Sequence, residues 1–158
     1  MISSDEIVHR LLREDGEVHA ELAARFGAEV VGPDGADRNR IAEIVFADPE
    51  QLAWLEGLLH PRVVREYLAW QADQTAPVTV SEIPLLYETR GEGRFDRVVV
   101  ITAPADVRAR RARVNAGERE RRLLPEDEKV ARADFVYVND GSLEALDAFV
   151  ADVLARVS

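Results

Sequence analysis

The sequence contains no cysteine, which excludes disulfides, zinc–thiolate sites and thiol nucleophiles. Lysine is nearly absent too. Lys129 is the only one among 20 basic residues, and the rest are arginine. A phosphate-cradling loop of the form Gly-x-x-x-x-Gly-Lys-Ser/Thr needs glycines ahead of a lysine. Lys129 follows Glu126-Asp127-Glu128, so these 158 residues hold no such loop. No apolar run approaches the roughly 20 residues of a membrane helix. The segment from Met1 to Asp15 carries acidic groups and lacks the apolar core of an export signal, so a cytoplasmic setting is expected. There is no surplus of positive charge either: 30 acidic residues against 20 basic leave a formal net charge of −10. That balance disfavours nonspecific binding to nucleic acid. Repeats and low-complexity linkers are also missing.

What is present fits one domain of ordinary size and 47% hydrophobic composition. Ile7, Val8, Leu11 and Leu12 mark a helix from about Ser4 to Arg13, with Ser3 or Ser4 as its cap. A second helix is predicted from about Glu17 to Arg25, stopping at Gly27. Val30-Val31 is extended ahead of a turn at Gly32-Pro33-Asp34-Gly35. Asp37 is expected to cap a third helix, and Asp48-Pro49 to open a fourth. His60-Pro61 is expected to end that fourth helix, with Pro61 opening a fifth. Further on, Pro77–Ile83, Arg97–Thr102 and Phe135–Val138 read as strands. The run Val98-Val99-Val100-Ile101 suggests burial on both faces. Helices are predicted at about Ala105–Val114, Pro125–Ala133 and Ser142–Val157. Strands alternating with helices imply a parallel sheet in an α/β fold. The helical stretch from Glu17 to Gln74 reads as a subdomain beside it.

Five short motifs carry possible chemistry, and each has a plainer reading. Glu82-Ile83-Pro84-Leu85-Leu86-Tyr87-Glu88 puts a carboxylate where a strand ends, the edge at which α/β enzymes bind ligands. It is equally a strand end with an incidental acid. In Leu58-Leu59-His60-Pro61, His60 can touch a ligand or serve the helix. Asp5, where a strand meets a helix, can act on a ligand or simply answer the helix dipole. Arg108, Arg110, Arg111, Arg113, Arg119, Arg121 and Arg122 can neutralise a phosphoryl group, or form a solvated face. Ala133-Asp134-Phe135-Val136-Tyr137-Val138-Asn139 ends a strand in a tight turn and need do no more.

Their order along the chain resembles the dephospho-coenzyme A kinase family. The resemblance runs through Asp5, Phe26-Gly27, Asp34-Gly35-Ala36-Asp37-Arg38, Val45-Phe46 and Asp48-Pro49-Glu50. It continues through Trp54-Leu55, Leu59-His60-Pro61, Ile83-Pro84-Leu85-Leu86-Tyr87-Glu88, Lys129, Ala133-Asp134 and Asn139. Two departures stand out. Ser3 occupies the first position of the family's Asp-x-Asp, and the family's P-loop strand and helix have no counterpart, Met1 falling at its second strand.

The resemblance implies a single kinase-like domain over 1–158: a three-layer parallel sheet of P-loop kinase type missing its first, central strand, with an inserted helical subdomain. That subdomain, at about 13–75, would bind coenzyme A, and a lid would lie at about 108–124. The implied activity is transfer of the γ-phosphoryl group of ATP, with Mg²⁺, to the ribose 3′-hydroxyl of dephospho-coenzyme A. Asp5 would orient or deprotonate the attacking hydroxyl, and Arg111 and Arg119 would neutralise the transferring group. Arg38, His60, Glu82, Pro84 and Leu85 would bind the acceptor, and Asn139 would lie near adenine. No metal-ligating residue is assigned. Without the loop, the chain by itself is expected to be inactive towards ATP. The alternatives are a catalytically silent binder of a coenzyme A-like ligand or protein partner, and an unrelated α/β interaction domain.

Overall fold

A computed structural model describes residues 1–111 and 123–157, with only the backbone of residue 111. The chain folds as two compact units, Met1–Ile83 and Pro84–Ser158.

The first unit starts with strand β1 (Ile2–Ser3), which runs directly into helix α1 (Ser4–Glu14). Ile7, Leu11 and Leu12 form the buried stripe that makes this segment a helix. Ser3 stands at the cap position, but its hydroxyl makes no capping hydrogen bond, contrary to the expectation for Ser3 or Ser4. Asp5 and Glu6 in the first turn supply the compensating negative charge instead. Asp15 then caps α2 (Gly16–Phe26), accepting from the Glu17 and Val18 amides at 2.9 and 3.0 Å.

A 3-10 turn leads from Gly27 to the hairpin of β2 (Val31–Gly32) and β3 (Gly35–Ala36). Gly35 has φ +101°, and a Cβ there would lie 2.5 Å from the Arg13 carbonyl oxygen. Glycine therefore lets the hairpin press against the end of α1. Asp37 caps α3 (Arg38–Ala47) by accepting from the Asn39 and Arg40 amides, each at 3.1 Å. Asp48 does the same for α4 (Pro49–Ala72) through the Glu50 amide at 2.8 Å.

α4 corrects one expectation. It runs unbroken for 24 residues through His60-Pro61, with no fifth helix opening there. Leu59, Val63 and Tyr67, spaced four apart, form one buried stripe across the proline. Packing of that stripe outweighs the hydrogen bond Pro61 cannot donate to Gly57, a solvent-exposed residue. The strand expected over Pro77–Ile83 is shorter than predicted. Only β4 (Ser81–Glu82) forms, because its parallel partner β1 is itself two residues long.

In the second unit, Pro84–Gly91 coils into turns. The Thr89 amide donates to the Leu85 carbonyl at 3.1 Å and the Gly91 amide to Leu86 at 2.8 Å. β5 (Val99–Thr102) and β6 (Phe135–Val138) form a parallel pair in which Val99 faces Phe135 and Thr102 faces Val138. Helices α5 (Ala105–Arg111), α6 (Glu126–Arg132) and α7 (Leu143–Val157) also belong to this unit. Phe149 of α7 packs on Tyr137, ring centroids 4.9 Å apart. The architecture is α/β with parallel strands, as expected. The burial of β5 is not: Val99 is 41% and Ile101 60% exposed. A two-stranded pair has too little sheet around it to enclose both faces. Among the described residues, no helix is long and apolar enough to cross a membrane.

Candidate functional site

The pairing of β1 with β4 brings two distant carboxylates to one place. Ser3 lies opposite Glu82 in a parallel register. Glu82 is the last residue of β4, and Asp5 lies just past the end of β1, as the second residue of α1. Both side chains are exposed. The carboxyl ends of adjacent parallel strands are where α/β proteins place ligands, since the helix that follows offers its N-terminus there. Two of the residues singled out from sequence therefore share an edge.

Arg38, the first residue of α3, is exposed and borders a depression of about 210 Å³. His9, Leu12, Arg13, Asp34 and Ala36 line the rest of it. His60 sits half-buried in the middle of α4.

The other candidates belong to the second unit. Pro84 and Leu85 open the turn after β4, and the Leu85 carbonyl also accepts from the Thr89 hydroxyl at 2.8 Å. Asn139 follows the end of β6, and its amide donates to the Thr102 carbonyl at 2.7 Å, at the end of β5. It too stands at the carboxyl edge of a parallel pair. Asp134, at the opposite end, is structural: its Oδ2 accepts from the Val98 amide at 2.8 Å and ties the starts of β5 and β6 together. In the arginine-rich segment, Arg108 pairs with Glu126, and Arg110 with Asp106 at 3.0 Å. The side chain of Arg111 and all of Arg119 lie outside the described residues, as does most of the expected lid.

The lone lysine has a partner that sequence reasoning did not assign. Lys129 Nζ lies 2.6 Å from Glu88 Oε1, and both side chains are less than one-fifth exposed. The same oxygen accepts from the Leu124 amide at 3.1 Å. Burial pushes the Glu88 carboxyl up, but the hydrogen bonds from Lys129 and the Leu124 amide, with the lysine charge, outweigh it and hold the group below its ordinary value. Nearby, Arg132 stacks over Tyr87, 4.5 Å from the ring centroid, and ion-pairs with Glu92. Burial raises the Tyr87 phenol above its usual value despite that neighbouring guanidinium. Glu88 and Lys129 lie 41 residues apart, and nothing local in the sequence joins them.

A family model described as dephospho-CoA kinase matches residues 1–145. The chain belongs to the dephospho-CoA kinase family. A dephospho-CoA kinase of Anaeromyxobacter dehalogenans is 41% identical to it over 168 aligned positions, covering 97% of this chain and 80% of the relative. One from Thermus thermophilus is 39% identical, covering 87% of this chain and 71% of the relative. Among solved structures, a crystal structure from Thermus thermophilus matches with a TM-score of 0.79 at 37% identity, over 99% of this chain and 84% of that one. A dephospho-CoA kinase from Campylobacter jejuni gives 0.71 over 99% and 84%, at 24% identity, which bears on the fold alone. The family expected from the motif order is thus established, and it is a family of kinases, phosphotransferases that use ATP.

Proposed function

We propose that this chain supplies the acceptor side of phosphoryl transfer from ATP to the ribose 3′-hydroxyl of dephospho-coenzyme A, the final step of coenzyme A biosynthesis. The observation that carries this reading is the parallel β1–β4 register, which sets Asp5 and Glu82 at one strand edge. Phosphoryl transfer is chiefly positioning and charge stabilisation. Asp5, exposed and in the first turn of α1, is suited to accept a hydrogen bond from the attacking hydroxyl and take its proton. Glu82, Arg38 and His60, with the helical part of the chain at about 13–75, would hold the acceptor. Pro84 and Leu85 would shape its border, Arg111 and Arg119 of a lid at about 108–124 would face the transferring group, and Asn139 would meet adenine. A P-loop kinase sheet without its first central strand, carrying a helical insertion, and a cytoplasmic setting belong to the same reading.

The residues described do not suit a triphosphate–magnesium cradle. The Gly-x-x-x-x-Gly-Lys-Ser/Thr pattern is absent from these 158 residues, and Lys129 is engaged by Glu88. Among the described residues no three His, Asp or Glu side chains gather to hold a metal ion. A second reading, a catalytically silent binder of a coenzyme A-like ligand, would need no such cradle.

Calorimetry and a turnover assay test both readings. Dephospho-coenzyme A is expected to bind this chain while ATP does not, and no turnover should be seen with both. Turnover by these residues would overturn the inactivity, and failure to bind dephospho-coenzyme A would overturn the acceptor assignment. Asp5 has its own test. Its carboxylate beside the 3′-oxygen should repel the 3′-phosphate of coenzyme A, so Asp5→Asn is expected to narrow the preference for dephospho-coenzyme A by about tenfold. An unchanged preference would remove Asp5 from the site.

A further inference from the structure

We propose that His9, Arg13 and Arg38 form the seat of the acceptor's diphosphate, one helical turn and more from the point where its ribose hydroxyl meets Asp5. The inference rests on the acceptor reading of Asp5 given above. Asp5, His9 and Arg13 recur every four residues along α1, so they share one face of the helix. At 1.5 Å of rise per residue, His9 lies about 6 Å and Arg13 about 12 Å along the axis from Asp5. A ribose 3′-hydroxyl and a diphosphate on the 5′ carbon of the same sugar are separated by a span of that order. The stripe thus runs from a carboxylate that suits a hydroxyl to an imidazole and a guanidinium that can donate hydrogen bonds to phosphate.

Arg38 reaches the same place from another element. With Arg13 and His9 it lines the depression of about 210 Å³, in which Asp34 is the only acid among the described residues. This is a local excess of positive charge on a chain whose net charge is −10. Two features of the backbone build it. Gly35 lets the β2–β3 hairpin touch the Arg13 backbone, where any Cβ would clash. Asp37 then caps α3, fixing the residue that follows it, Arg38, at the rim. Planar guanidinium groups pair with phosphate oxygens through two parallel hydrogen bonds, which a simple point charge does not reproduce. Arg38 has no ion pair among the described residues. Arg13 is bonded to its neighbour Glu14, but both side chains are more than half exposed. An exposed pair of that kind is worth little and yields readily to a phosphate. Arg10, the next residue after His9, is instead paired with Glu66 and is left out of the cluster.

The test combines calorimetry with imidazole proton NMR on the whole chain. Arg13→Ala and Arg38→Ala are each expected to weaken dephospho-coenzyme A binding about tenfold while leaving adenosine, which has no phosphate, unaffected. Arg38→Lys should restore part of the loss. Inorganic pyrophosphate should shift the His9 signals saturably, assigned by their disappearance in His9→Gln, and Arg38→Ala should abolish the shift. Full-strength dephospho-coenzyme A binding by both arginine variants would overturn this assignment and leave the acceptor reading intact. A chain that ignores dephospho-coenzyme A would instead overturn the acceptor reading. Pyrophosphate then decides the anion site alone: a His9 shift lost in Arg38→Ala sustains it, and no shift ends it. Both arginines are exposed, so the variants should melt as the parent does, and a variant that does not is replaced by its lysine counterpart.

Discussion

Glu88 joins parts of the chain that are far apart in sequence, because one carboxylate oxygen serves both Lys129 and the Leu124 amide. Replacing it with glutamine removes a charge-assisted bond and leaves the lysine ammonium, less than one-fifth exposed, without its counter-charge. Glu88→Gln is expected to cost roughly 1–3 kcal/mol at neutral pH, read as a lower urea midpoint with an unchanged slope. The acid limb gives a second reading. The folded-state carboxyl lies below its ordinary value, so its contribution is fully present above the unfolded value of about 4.3 and is lost as pH falls through the lower folded value. The parent should therefore lose stability below that pH more steeply than Glu88→Gln. Equal acid limbs would show that the pair contributes nothing to this dependence. Both residues were visible in the sequence as motif members, and Lys129 stood out as the only lysine. Their pairing was not legible, because contact between distant segments leaves no periodicity to read.

Helices were the most legible elements, since an apolar stripe and a capping side chain are both local. Asp37 and Asp48 cap where the sequence placed them. Pro61 misled because its local effect is helix-breaking, while the stripe of Leu59, Val63 and Tyr67 holds α4 together around it. Pro61→Ala should then restore a backbone hydrogen bond and stabilise the chain by about 1 kcal/mol or more, raising the melting temperature with no loss of helical circular dichroism. A fall in melting temperature would mean that the packing depends on the proline ring. Gly35 makes the opposite case. Gly35→Ala combines a positive φ with a Cβ lying 2.5 Å from a backbone oxygen and is expected to cost about 2 kcal/mol or more. It should also weaken dephospho-coenzyme A binding, because the hairpin that sets Arg38 beside Arg13 must move. Destabilisation without that loss would separate the hairpin from the site.

For the whole molecule, ligand binding should appear as stability. A ligand at a hundred times its dissociation constant adds about 2.7 kcal/mol. For a chain of this size that amounts to roughly 5–10 °C in melting temperature. Dephospho-coenzyme A is expected to give such a rise in differential scanning fluorimetry and ATP none. A rise with ATP alone would show that these residues hold a nucleotide without the loop. By itself, the sequence determined the family, the alternation of strands and helices, the caps at Asp37 and Asp48, and, within these 158 residues, the absence of cysteine and of a glycine-rich lysine loop. Each of these is written in residue identity, spacing or order. Tertiary structure alone decided that Ser3 lies opposite Glu82, that the hairpin brings Arg38 to Arg13, that Lys129 is held by Glu88, and that β5 is half open. Those outcomes depend on strand register and on the close approach of segments distant in sequence, and both are settled by packing across the fold.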